Sequence, residues 1–230
     1  MNIFFLHETP ELSAKYLVDK HIVKMPLESA QMLSTAHRLL DGKLKIIEVE
    51  KNGKVRKKKQ YLLPKETSAN PNPLYKVAHA KHPSTVWTME SEENYMWHFE
   101  LFCHMLKEYT RRYGKIHSSS RLLPLLASAP QNIPKIGSTA PVPAMPDLYK
   151  IEGDHVASYR RYYAGEKWRF AKWKNPESIH IPEWFFDNME QVWHDERFGD
   201  RVANVKKISA KKTLPLDEEV FKTAGALSAC

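Results

Sequence analysis

Cysteine is almost missing from this chain. Among its 230 residues only Cys103 and Cys230 are cysteines. One lies inside a helical pattern and the other is the last residue, so the pair makes neither a disulfide framework nor a zinc motif. A reducing compartment is therefore expected. Glycine is also scarce, at 8 residues, and no Gly-rich phosphate loop occurs, which argues against an NTPase. There is no GxSxG, no HExxH and no CxxC. Nucleophilic-serine chemistry and the common metal-binding patterns thus lack their signatures. No apolar run approaches the roughly 20 residues that a membrane span needs. The opening MNIFFLHETPE has neither a basic region nor a cleavage site, so a cytoplasmic location without membrane contact is expected.

What the chain has in excess is positive charge. Lys and Arg total 35 against 27 Asp and Glu, a net charge of +8, with 11 histidines besides. Such a surface favours polyanions. Aromatic residues interleaved with the cations add the means to stack on bases or wedge between them. The length fits one domain, or one domain with an appendage.

Elements follow from punctuation and period. Residues 2–6 are apolar and suit a short strand or a packed N-terminal arm. Thr9 and Pro10 read as a cap and first turn, opening a helical pattern that runs to about Leu40 and stops at Asp41-Gly42. Pro26 lies inside it, where it must kink the helix or begin a second one. Leu44 to Leu63 reads as a β-hairpin turning at Asn52-Gly53; Arg56, Lys57, Lys58 and Lys59 on the return strand either protect an edge or contact phosphates. Lys76 to Ala80 suits a short helix. His82-Pro83-Ser84 opens a long helix to about Tyr113, ended by Gly114, with Trp87 and Trp97 in its core face. Residues 115–150 are Pro-rich and irregular, and a loop of this length is functional or wraps a core. A further helix spans about Asp154 to Trp173, stopped by Pro176. The expected fold is mainly α: a single compact helical domain with one small β-hairpin insertion and long Pro-rich loops. It divides into residues 1–173, with the hairpin at 44–63, and a C-terminal extension at 174–230.

The chemistry concentrates in DKHIVKMPLESAQMLSTAH, residues 19–37. His21, Lys24, Glu28, Gln31 and Thr35 recur at helical spacing and form one polar stripe beside an apolar one. A carboxylate with an amine and an imidazole suits chemistry at a sugar C1′. The carboxylate can face a developing oxocarbenium ion, and an amine can attack it. Lys24 lies one turn from both Glu28 and His21. The amine of Met1 is a second nucleophile, since an α-amine sheds its proton more readily than a lysine. Histidines are numerous enough for a metal site, but no ligand spacing specifies one.

These residues resemble the pyrimidine-dimer DNA glycosylases, the phage endonuclease V family. Its first helix carries Asp-x-His, a glutamate seven residues after that histidine, and a later histidine. Here these are Asp19-Lys20-His21, Glu28 and His37. The family's Asn-Gly-Lys turn matches Asn52-Gly53-Lys54, and its entry to a long aromatic helix matches Pro83-Ser84-Thr85. Its C-terminal Tyr-Lys-Tyr-Tyr-Gly segment matches Tyr159-Arg160-Arg161-Tyr162-Tyr163-Ala164-Gly165. The order holds over residues 1 to about 173. The chain departs in having about six additional residues before His21, and Leu27 and Gln31 where the family has arginines. Asn2 disfavours removal of Met1.

The resemblance implies a glycosylase with lyase activity on a damaged or modified pyrimidine in duplex DNA, through an imine, with base flipping and no cofactor or metal. Glu28 and His21 would be catalytic, with the amine of Met1, or Lys24 or Lys20, as nucleophile. Lys20, Gln31, His37, Arg56, Lys57, Lys58, His82, Tyr159, Arg160, Arg161, Tyr162, Tyr163 and Lys167 would contact DNA. Two alternatives stay open: base modification of a modified thymine without strand cleavage, and DNA binding without catalysis.

Overall fold

The structure, a computed structural model, describes residues 1–51, 53–67, 69–174 and 181–195. Asn52, Pro176 and the tail from 196 to Cys230 lie outside the described residues. The fold is mainly α, as expected, with a single two-stranded antiparallel hairpin among the described residues. Helices run over Pro10–Tyr16 (α1), Asp19–Leu40 (α2), Pro83–Glu90 (α3), Glu92–Tyr113 (α4), Leu123–Leu126 (α5), His155–Lys167 (α6) and Glu183–His194 (α7). The strands are Lys43–Lys51 (β1) and Lys54–Leu62 (β2). No helix among the described residues is long and apolar enough to cross a membrane.

The expected helix from Pro10 to Leu40 is two helices, and the break is not at the proline. Leu17 and Val18 are extended and buried. The buried Arg112 guanidinium donates to the carbonyls of Lys15 (2.9 Å) and Leu17 (2.7 Å), taking over α1's terminal acceptors. It also binds Asp19 Oδ1 at 3.1 Å, at the first turn of α2. The Val18 N–H donates to the Tyr163 hydroxyl at 2.9 Å. Tertiary partners thus replace the helical bonds lost at the break. Pro26 instead sits within continuous α2, and His117 Nε2 serves the Val23 carbonyl one turn earlier at 3.2 Å.

The expected helix from 84 to 113 also divides. Ser91 is extended, with φ −151°, and its hydroxyl accepts from the Asn94 N–H at 3.1 Å, starting α4 afresh. Lys76 to Ala80 is not helical: Ala78 N–H donates to Thr35 Oγ1, and His79 has a positive φ of 49°. The helix expected to reach Trp173 ends at Lys167 and continues only as a 3₁₀ turn over Trp168–Phe170.

Two buried clusters share α2 and α4 as their common wall. One joins Ile3, Phe4, Phe5 and Leu6 to Ile22, Met25, Leu101, Met105, Tyr159 and Tyr163. The other joins Leu33 and Ala36 to Tyr95, Phe102, Leu106, Leu122 and Ile133. Residues 2–6 are therefore a buried arm, not a strand. The Pro-rich segment wraps this core: the Thr139 carbonyl accepts from Trp87 Nε1, and the Pro134 carbonyl from the Glu92 N–H. Within the expected extension, α7 buries Phe185 and Met189 in the first cluster.

Candidate active site

The buried arm delivers the chain's first residue to α2. Asn2 fixes it: its side-chain amide donates to the Ala144 carbonyl (3.0 Å), and its Oδ1 accepts from Tyr159 (3.0 Å) and Ser84 (3.2 Å). Ser84 Oγ in turn accepts from the Ile3 N–H at 3.2 Å. With residues 2 and 3 held on both sides, the Met1 amine lies 3.3 Å from Glu28 Oε2. Glu28 Oε1 lies 3.0 Å from Lys24 Nζ. The Glu28 and Met1 side chains are buried, 11% and 3% exposed, whereas the Lys24 side chain is 67% exposed; Met1 as a whole is only partly buried, so its exposure lies on the main chain that carries the amine. One carboxylate therefore touches the main-chain amine with one oxygen and a solvated side-chain amine with the other.

These groups line an open cleft of about 230 Å³ with Asn2, Phe4, His21, Tyr162 and Lys167. His21 enters from the first turn of α2. Its ring stacks on Phe4, with centroids 4.7 Å apart, and its Nδ1 lies 2.8 Å from the Tyr163 hydroxyl. That hydroxyl oxygen also accepts from Val18 N–H, and giving its own proton to His21 Nδ1 is the arrangement that leaves the phenol proton partnered. The imidazole is thereby set as the Nε2–H tautomer. Burial, with the nearby charges of Lys167, Lys24 and the Met1 amine, pushes its pKa down to about 3. At neutral pH His21 is an uncharged ring whose remaining polar atom is an N–H donor. It cannot be a general acid there, but it can donate a hydrogen bond to an oxygen of a bound substrate.

Lys167 and Lys24 supply positive charge at the cleft. Lys167 Nζ sits 4.7 Å over the Tyr162 ring and 3.3 Å from its hydroxyl. His82 stands close by: its pKa is lowered first by burial, then by the Met1 amine and His79, against the opposing pull of Glu28. Its Nδ1 accepts from the Ser84 N–H and caps α3. A buried carboxylate, a main-chain amine, a neutral imidazole N–H and two flanking lysines can bind a phosphorylated sugar. The same set can exchange a proton between amine and carboxylate at its reacting carbon.

Of the residues singled out from sequence, the fold gathers Met1, His21, Lys24, Glu28, Tyr162 and Lys167 around one cleft, with His82 nearby. Others need correction. Tyr159 and Tyr163 are fully buried and bond Asn2 and His21, so they position the site and cannot reach DNA. Arg160 donates to the Leu6 carbonyl at 2.8 Å, and Arg161 pairs with Asp195 at 2.7 Å. The aromatic-basic segment faces inward because α6 packs between the N-terminal arm and α7. His37 lies at the far end of α2, bonded to the Tyr95 hydroxyl at 2.9 Å, with its pKa lowered by burial. Gln31 is half-buried on the intervening turn, outside the cleft lining. Lys20 is exposed and lies over the Phe170 ring at 4.8 Å, also outside that lining. Arg56, Lys57 and Lys58 are exposed on β2.

Sequence reasoning missed Asn2, Ser84, Phe4 and Arg112. Their partners are 81 to 157 positions away for Asn2 and Ser84, and no local pattern marks such contacts. Among the described residues, no group of three or more His, Cys, Asp or Glu side chains is arranged to hold a metal ion. No family model matches the chain, and no curated protein or solved structure matches it.

Proposed function

We propose that the chain is a DNA glycosylase with lyase activity, acting on a damaged or modified pyrimidine in duplex DNA. The observation that carries this reading is the Met1 amine 3.3 Å from the buried Glu28 carboxylate, in a cleft flanked by cations. In the proposed reaction Glu28 takes a proton from the amine, and the free amine attacks C1′ of the nucleotide. The bond from C1′ to the base nitrogen breaks, and the base leaves with the bonding pair and takes up a proton. The sugar ring then opens, leaving a protonated imine between the Met1 nitrogen and C1′. Glu28 returns its proton to the sugar ring oxygen as the ring opens, and the restored carboxylate then faces the positive charge of the imine. Loss of a C2′ proton expels the 3′ phosphate, and hydrolysis of the imine restores the amine. The His21 Nε2–H and Lys167 hold oxygens of the sugar and phosphate. Reaching C1′ requires the nucleotide to leave the stack, which a damaged base does at least cost.

Borohydride trapping on UV-irradiated duplex, with undamaged duplex as control and EDTA present, tests this directly. The expected result is a covalent band on irradiated DNA alone, mapped by peptide mass to Met1. No band and no nicking would sink the reading. A changed base mass with the strand intact would indicate base modification, and retention of DNA without either product would indicate binding alone.

A further inference from the structure

The hairpin is asymmetric in a way its composition hides. Register pairs Leu44 with Tyr61, Ile46 with Lys59, Glu48 with Lys57 and Glu50 with Val55 on one face. The other face pairs Lys43 with Leu62, Lys45 with Gln60 and Ile47 with Lys58, and carries Arg56 and Lys54 beyond them. Side chains alternate across a ribbon. One face therefore holds Lys57 and Lys59 balanced by Glu48 and Glu50. The opposite face holds Lys43, Lys45, Lys54, Arg56 and Lys58 with no acidic residue. All five of these cations are exposed.

The arm is rooted rigidly. Arg38, 1% exposed, donates to the Tyr61 carbonyl at 2.8 Å and to Glu66 at 2.8 Å and 3.2 Å. It also donates to the Tyr75 carbonyl at 2.6 Å and the Leu74 carbonyl at 2.9 Å. Glu66 in turn accepts from the Leu63 N–H at 2.9 Å. At Gly42 a Cβ would meet the Arg38 carbonyl oxygen at 2.3 Å, so only glycine lets the chain leave α2 into β1. A two-stranded ribbon of this length projects about 30 Å, from a point about 18 Å along α2 from Glu28.

We propose that the acid-free, lysine- and arginine-bearing face of the hairpin binds the phosphate backbone of duplex DNA beside the cleft; this rests on the reading of the cleft as a DNA site. Cations on alternate positions recur about every 7 Å along a strand, near twice the 3.4 Å charge rise of one DNA strand. A two-stranded ribbon is also narrow enough to enter the major groove. A membrane surface fits less well. Interfacial binding needs exposed apolar groups among the cations, whereas the exposed Leu44, Ile46 and Val55 lie on the opposite face with the glutamates, and Ile47 and Leu62, which lie among the cations, are half-buried.

The test compares two double variants that remove equal charge from neighbouring positions of the same strand: Arg56→Ser with Lys58→Ser, and Lys57→Ser with Lys59→Ser. Binding of a labelled, undamaged duplex is followed by anisotropy over a range of salt concentrations. The first variant is expected to weaken binding and reduce the slope of log K against log salt by about 2. The second should leave the slope within experimental error of wild type. Equal flattening by both would reduce the effect to general basicity and overturn the inference, as would no flattening by either. Loss of binding to anionic phosphatidylserine vesicles with duplex binding intact would assign the arm to membranes instead. Undamaged duplex separates this from the chemistry. A face-dependent slope without a borohydride adduct keeps the arm and sinks the glycosylase, and an adduct without face dependence does the reverse.

Discussion

The two ends of α2 each hold a buried carboxylate against a cation, yet they are built for different purposes. At the C-terminal end Glu66 receives two Arg38 bonds and the Leu63 N–H, while Arg38 reaches three carbonyls as well. Every partner there is fixed in the fold. At the N-terminal end Glu28 touches the Met1 amine and the ammonium of Lys24, at 3.3 Å and 3.0 Å. Both partners there are amines, one of them on a solvated side chain, and a cleft opens beside them. A saturated buried pair locks structure, because removing one member strands the other charge. A sparsely bonded pair facing a cleft keeps its groups available for exchange with a ligand.

Breaking the saturated end should have the largest effect. Arg38→Met strands Glu66 and three carbonyls, and we expect a stability loss of about 3–5 kcal/mol, read as a fall in the urea midpoint. A loss below about 1 kcal/mol would remove the contrast between the two ends. Breaking the sparse end should act on chemistry instead. Glu28→Gln is expected to slow single-turnover base release by about 10²–10³-fold, the scale for losing one charge-stabilising group. Its urea midpoint should stay near wild type. Full activity in Glu28→Gln would remove the carboxylate from the mechanism.

The contrast has a pH signature. His21 and His98 are both held near a pKa of about 3, each first by burial. A histidine's unfolded value is about 6.5. The folded state therefore binds fewer protons than the unfolded chain between these values. Their contribution is full above about 6.5 and is lost as pH falls. Between pH 6.5 and 5, above the carboxylate range, stability should decline by up to about 1.4 kcal/mol per unit for each ring. His98→Gln should flatten that slope, and a wild-type stability that is level across the window would refute the neutral-ring assignment. Tyr163→Phe should cost about 1–3 kcal/mol, because Val18 N–H loses its acceptor and His21 its tautomer-setting donor. The imidazole would then slow turnover as well, which a purely structural tyrosine would not.

Much of this was legible in sequence because it is periodic. Spacings of three and four along α2 placed His21, Lys24 and Glu28 together, and Gly53 between β-rich runs announced the hairpin. What was not legible depends on distant partners. Nothing near Leu17 says that Arg112 will take its carbonyl, so the α1–α2 break was invisible while Pro26 looked decisive. Tyr159, Arg160, Arg161 and Tyr163 read as a DNA-facing patch because their chemistry is that of an interface. Burial by α7 and the N-terminal arm turns them inward, and composition carries no sign of that. Ser91 is a different case: a serine followed by two glutamates is a cap signal within reach of sequence, masked by the strong apolar period running through it.

The smallest expected effect settles which amine acts. Lys24 is 67% exposed along its side chain and pairs with Glu28 one turn away, so Lys24→Met should change stability by less than about 1 kcal/mol. It leaves Met1 and Glu28 in place. If the Met1 amine is the nucleophile, the borohydride adduct persists at Met1 and the rate drops less than about tenfold, since only one flanking charge is lost. If the adduct disappears while the fold and duplex binding persist, the nucleophile is the solvated lysine. Glu28 would then serve the partner at its other oxygen, and the contact of the Met1 amine with Glu28 would be a feature of the N-terminal arm's packing.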